Sequence, residues 1–221
     1  MSSSKTHTFS GEQIDVTYHP ALCIHVGECG RADNALFVGG RRPWCDPDAV
    51  GVDEVLAVVD RCPTGALDAR NKDGTHALAP ADRNTVTVAN NGPLYLRGAL
   101  HLAGVDGEGE TRTRIALCRC GASKNKPFCD NSHEKDGFID RGAIGTTGQP
   151  DPLPAGPLTI TPAPDGPLLL SGPVTLVAAS GRAAWQGHKA ALCRCGASKN
   201  KPFCDGSHRA VGFKSAPTEG A

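Results

Sequence analysis

Polar and apolar residues alternate over Gln13-Ile-Asp-Val-Thr-Tyr18, and a period of two predicts a strand with one buried face. Ala35-Leu-Phe-Val38 predicts a second short strand before the Gly39-Gly40 turn. From Asp53 to Arg61 the pattern changes to that of a helix, with an acidic first turn that complements the helix dipole. Cys62-Pro63 stops it, and Gly65–Ala69 is the candidate closing strand. Residues 1–10 carry no such pattern and are expected to form a disordered tail, so the first unit spans 11–72.

Beyond residue 73 one order of segments occurs twice. Thr85–Val88, Pro93–Leu102 and Arg114–Leu117 predict strands. Leu158–Ile160, Pro167–Leu170, Val174–Val177 and Ala190–Leu192 repeat the series. The stretch 142–156, rich in Gly, Pro and Thr, is the expected linker. The units are then 73–141 and 157–214, with a tail at 215–221.

Composition agrees with small modules. Aromatic residues make up 5% of the chain, while Gly and Pro number 27 and 17, which suits turn-rich units with thin cores. Such units often need a metal to hold them. Twenty-three basic residues balance 23 acidic ones, so no global field draws the chain to nucleic acid or to an anionic membrane. No apolar run is long enough for a membrane helix, and Met1–His7 lacks the apolar stretch of a secretion signal. A cytoplasmic location is expected, where thiols stay reduced and ten cysteines point to metal.

Each repeat closes on the same metal-ligand string. Residues Cys118 to His133 recur at Cys193 to His208, and only Asn131 against Gly206 differs. Cys118 and Cys120 fall on one face of an extended segment. Gly121–Phe128 is long enough to fold back, and Pro127 predicts a helical start that brings Cys129 and His133 together, four residues apart. Cys193, Cys195, Cys204 and His208 repeat the arrangement. Two ligands on each side suit a two-iron cluster. Three cysteines and a histidine also make a structural zinc site, but zinc knuckles usually space their first pair more widely than C-x-C. A positive φ at Gly206 would suit glycine, and Asn131 is the least disruptive replacement.

The string resembles the signature of the CDGSH iron–sulfur family, C-x-C-x2-S-x3-P-x-C-D-G-S-H. The second copy matches at every fixed position, and the first departs only at Asn131. The resemblance covers roughly residues 80–213 and implies a [2Fe–2S] cluster on three cysteines and one histidine in each copy. It also implies a β-rich cap beside each cluster-binding region, and two units paired as an intrachain pseudo-dimer. Lys124, Lys126, Lys199 and Lys201 lie in the cluster loops. They are either solvated or offset the cluster's negative charge.

The first unit resembles single-cluster bacterial ferredoxins and a small divergent ferredoxin-like domain, through Cys23-x5-Cys29, Arg42-Pro-Trp-Cys-Asp-Pro47 and Cys62-Pro-Thr-Gly-Ala-Leu67. The resemblance implies a [3Fe–4S] or [4Fe–4S] cluster on Cys23, Cys29 and Cys62. Cys45 and His25 are rival fourth ligands. The fold class expected for the whole is α+β, a ferredoxin-like unit followed by two CDGSH units.

No phosphate-binding glycine loop or dinucleotide fingerprint is present in the sequence, and no Ser/His/Asp arrangement stands out. The expected function is one-electron transfer, with proton-linked redox at the histidine-ligated irons. The alternative is a [2Fe–2S] store or donor, and no enzyme activity is expected. The expected partner is a redox protein or an apo iron–sulfur acceptor, with the chain itself a monomer.

Overall fold

The computed structural model describes residues 5–32, 35–107, 110–145, 148 and 153–215. The chain divides into two units, Met1–Ala79 and Pro80–Ala221. It is a β-rich α+β protein with few helices, and no helix among the described residues is long and apolar enough to cross a membrane.

In the first unit, β1 (His7–Ser10), β2 (Ile14–Tyr18) and β3 (Leu67–Asn71) form an antiparallel sheet in that order. Strand β1 lies inside the stretch expected to be a tail. It forms because β2 offers an edge, with Phe9 opposite Val16. One helix, α1 (Val52–Asp60), packs on the same core. Val55, Val58 and Val59, spaced three and four apart, are its buried face, and each side chain removed from water contributes about 1.5–3 kcal/mol. The strand expected at Ala35–Val38 shrinks to one bridge between Phe37 and Cys45. The hairpin also holds Val38 N–H on the Trp44 carbonyl at 2.8 Å. The first unit runs past its expected end at residue 72, because Ala77 N–H bonds the Ala69 carbonyl at 2.9 Å.

The second unit holds β4 (Thr85–Val88), β5 (Leu94–Leu102), β6 (Arg112–Leu117), β7 (Leu158–Pro162), β8 (Leu168–Val177) and β9 (Ala183–Leu192). Each repeat makes an antiparallel meander, and the two exchange neighbours. Strand β4 of the first runs parallel to β8 of the second, and β7 of the second runs parallel to β5 of the first. Both repeats therefore share one core, which includes Leu96, Leu100, Leu102, Ile160, Leu170 and Leu176.

The two strands expected at 167–170 and 174–177 are one strand, β8, with a register shift between Ser171 and Val174. Strand β5 breaks register at the matching place, between Arg97 and Leu100. Gly98 (φ 142°) and Gly172 (φ 125°) occupy these breaks. A Cβ would meet the Asn84 side chain at the first and the Pro157 carbonyl at the second. Asn84 ties the repeats together, donating to the carbonyls of Gly156 and Pro173 at 2.8 Å and accepting from Ala99 N–H at 2.9 Å.

Residues 1–4, 146–147, 149–152 and 216–221 lie outside the described residues, and so do much of the expected linker and almost all of the expected C-terminal tail. Ile144, within the linker stretch, is buried in the shared core.

Candidate metal centres

Strand β6 runs directly into Cys118 and β9 into Cys193. The chain then folds back on itself. Cys118 N–H donates to the Pro127 carbonyl at 2.9 Å, and Cys129 N–H returns to the Ala116 carbonyl at 2.9 Å. The second copy repeats both bonds at 2.8 Å, from Cys193 to Pro202 and from Cys204 to Ala191. The third cysteine is thus delivered by a ladder and not by a helix. The helical start expected at Pro127 is absent, because the Pro127 carbonyl is committed to that ladder. The helical turns begin later, at Ser132–Lys135 (α2) and Ser207–Ala210 (α3). Asn131 (φ 67°) and Gly206 (φ 88°) both take the left-handed conformation that swings the histidine round.

The four groups of each motif stand as two pairs. Cys118 and Cys120 sulfurs are 3.7 Å apart, and Cys129 Sγ lies 3.5 Å from His133 Nδ1. In the second copy the corresponding separations are 3.8 Å and 3.4 Å. Among the described residues, no three His, Cys, Asp or Glu side chains gather as a site for one ion. Paired soft donors suit a sulfide-bridged two-iron group, which needs two ligands per iron. Backbone N–H groups already point at the sulfurs: Ala122 at Cys120, Asn131 at Cys129 and Gly206 at Cys204, each at 3.5 Å. Such donors favour a charged thiolate.

The thiols feel one another. The Cys118 thiol is brought down to about 6, first by its hydrogen bond with Cys120. The same bond raises Cys120. Burial pushes Cys129 up to about 11, against the Asn131 N–H. Burial also lowers His133, which favours the neutral imidazole that a metal requires.

Residues around the ligands fix the loops. Asp130 accepts from Lys124 N–H at 2.8 Å and Ser132 N–H at 3.0 Å, and Asp205 does the same for Lys199 and Ser207. Ser123 Oγ donates to the Phe128 carbonyl at 2.7 Å, and Ser198 Oγ to Phe203 at 2.6 Å. Lys126 and Lys201 each donate to a loop carbonyl at 2.6 Å, whereas Lys124 and Lys199 are exposed. The two motifs meet at an antiparallel bridge between Cys120 and Cys195. Gly121 and Gly196 permit it, since a Cβ on either would strike the backbone of the opposite cysteine.

Sequence reasoning overlooked Arg119 and Arg194, which stand between the first two cysteines of each motif. Both are buried, and both reach carbonyls of the preceding hairpin, Gly92 and Ala89 or Gly166 and Ala163. The signal was available. An arginine inside C-x-C occurs in both copies, and strand parity turns it away from the metal face into the fold.

In the first unit, Cys23, Cys29 and Cys62 line one cavity with Tyr18, His25 and Trp44. Cys23 closes a 3-10 turn at Pro20–Leu22, and Cys62 follows the end of α1. Left-handed residues His25 (φ 54°) and Gly27 (φ 88°) curl the intervening loop round the cavity. Burial and the neighbouring thiol of Cys62 raise Cys29. Burial followed by Cys23 raises Tyr18. Cys45 is not brought to this cavity. It lies wholly buried among Leu36, Phe37 and the helix valines, and burial pushes its thiol up to about 12.

Comparison with known proteins agrees with this geometry. The pattern of the iron-binding zinc finger of CDGSH type matches residues 91–134 and 165–209. The divergent 4Fe-4S mono-cluster pattern matches residues 9–72. The protein YjdI of Escherichia coli strain K12 is 47% identical over 64 residues, which cover 29% of this chain and 84% of YjdI. YjdI of E. coli O157:H7 matches to the same extent. No solved structure matches the chain.

Proposed function

We propose, from the premise that the chain belongs to the CDGSH-type iron-binding family and carries an N-terminal divergent 4Fe-4S mono-cluster domain, that this iron–sulfur protein is a one-electron carrier. The observation that carries the reading is the twice-repeated pairing of two thiols with a thiol and an imidazole. Each motif would hold a [2Fe–2S] group, and Cys23, Cys29 and Cys62 would hold a [3Fe–4S] or [4Fe–4S] group. When bound, these groups supply one-electron redox chemistry. The chain's own residues do the rest. The buried arginines and the Ser123 and Ser198 hydroxyls keep the loops rigid, and the backbone N–H groups stabilise the thiolates.

Two further features follow from the arrangement. The exchange of strands between repeats supports a dimer-like pair folded within one chain, which would work as a monomer toward a redox partner protein in the cytoplasm. His133 and His208 sit on short, half-exposed turns. A neutral imidazole in place of a thiolate raises the potential, and extra electron density on the iron raises the imidazole's affinity for a proton. Electron uptake is then proton-linked, with a potential that falls as pH rises. A protonated imidazole is a poor ligand, so mild acid should release iron from the histidine side. Replacing His133 and His208 by Cys should flatten the pH dependence and slow that release.

Anaerobic purification with iron and acid-labile sulfide counts, and EPR in both redox states, tests the reading. Pale protein that carries zinc and is EPR-silent after dithionite would refute it. Incubation with an apo-ferredoxin separates a carrier, which keeps its iron, from a cluster donor, which passes on iron and visible absorbance.

A further inference from the structure

We propose that Thr64 is a positioning residue for electron uptake at the N-terminal centre, its hydroxyl donating to the Cys62 sulfur and raising the potential of the group held there. The inference rests on the iron–sulfur reading above and concerns the donors around the three thiols.

The chain at this point reads Cys62-Pro63-Thr64-Gly65. Proline has no N–H, so the residue directly after the cysteine has nothing to give the sulfur. In the histidine-ligated pockets the residue two places beyond a cysteine offers its backbone N–H to that sulfur at 3.5 Å, as Ala122, Asn131 and Gly206 do. Two places beyond Cys62 stands Thr64, and here the side-chain oxygen lies 3.5 Å from the sulfur.

The direction of that bond follows from the other partner. Thr64 Oγ1 accepts from Ala66 N–H at 3.1 Å. An amide N–H can only donate, so the hydroxyl proton is left for the sulfur. Thr64 is 3% exposed, which keeps water from competing for that proton. The left-handed Gly65 (φ 68°) turns the chain between Thr64 and Ala66, and the Ala66 carbonyl is tied to His19 N–H at 2.7 Å.

The other two thiols have donors of their own. Gly30 N–H serves Cys29, and Tyr18 shares a hydrogen bond with Cys23. Three thiols are thus met by a backbone amide, a phenol and an aliphatic hydroxyl. Of these donors Thr64 is the most buried, since Tyr18 is half-buried and Gly30 exposed. A hydrogen bond shielded from water is electrostatically the stronger one.

Taking up an electron converts one ferric iron to ferrous and adds one negative charge, part of which falls on the thiolate sulfurs. An external one-electron reductant supplies that electron. A donor facing a sulfur gains strength as the sulfur becomes more negative, and so favours the reduced state. Without the Thr64 hydroxyl the ratio of reduced to oxidised centre at a fixed potential should fall about tenfold, which is about 59 mV for a one-electron couple.

Mediated redox titration of the anaerobic full-length protein, followed by EPR, measures this. The N-terminal signal is the one that Cys62→Ser abolishes. Thr64→Val should lower its potential by the stated amount and leave the histidine-ligated pockets where they were. Thr64→Ser, which restores the hydroxyl, should return it. An unmoved potential in Thr64→Val would overturn the inference, and so would an equal fall in Thr64→Ser, which would assign the residue to packing. Should Thr64→Val shed its iron, Thr64→Ala is read in its place. Iron loss from both, with iron kept in Thr64→Ser, would mean that the hydroxyl holds the group without tuning it, and would overturn the inference too. Protein lacking labile sulfide would instead sink the iron–sulfur reading, so the two failures are distinguishable.

Discussion

The two units solve one problem by opposite means. In the second, all four proposed ligands of a pocket come from sixteen consecutive residues, and a local hairpin aligns them. In the first, Cys23 and Cys62 are separated by a helix, a hairpin and most of a core before they meet at one cavity. A ligand set written into a short loop depends on that loop's turns and on the sheet it hangs from. A ligand set assembled across a domain depends on the whole core. The repeats accordingly tolerate variation outside the string, while the first unit must keep its packing to keep its site.

The comparison breaks first at the shared core. Leu100→Ala removes a fully buried side chain between the two repeats and should cost about 2–5 kcal/mol. Thermal unfolding should show the loss, and iron should leave both histidine-ligated pockets faster while the first unit retains its own. Within the first unit, two cysteines should part company. Cys62→Ser should empty the cavity of iron. Cys45→Ser should keep the iron and destabilise the core by about 1–3 kcal/mol, since it buries a hydroxyl among apolar side chains. Iron counts on the two variants, beside their denaturation midpoints, check this difference between a cavity cysteine and a core cysteine.

The single difference between the strings offers a finer test. Asn131→Gly should stabilise the first pocket, and Gly206→Ala should cost the second about 1–2 kcal/mol at its left-handed turn, with chelator-driven iron loss as the measure. The smallest effect concerns Asp165. Its bond from Lys214 lowers its carboxyl from an ordinary 3.8 to about 2. A depressed acid stabilises the fold fully above the ordinary value and loses that contribution as pH falls through the lowered one. Hydrogen exchange at the Ser215 amide should therefore quicken only below about pH 4 and should be fast at every pH in Asp165→Asn.

The sequence by itself determined most of what is local. The duplicated string, its left-handed position and the strands with clear alternation all reappear in the fold, because neighbouring residues suffice to specify them. Short-range pattern failed where partners decide. His7–Ser10 is a strand only because β2 needs a neighbour, and Ala183–Lys189 extends β9 without any alternation to announce it. Tertiary structure alone decided that the repeats exchange strands, that Cys45 belongs to a core and that Arg119 pairs with the carboxylate of Asp140. Those outcomes depend on contacts between segments far apart in the chain, whose energies no local spacing encodes.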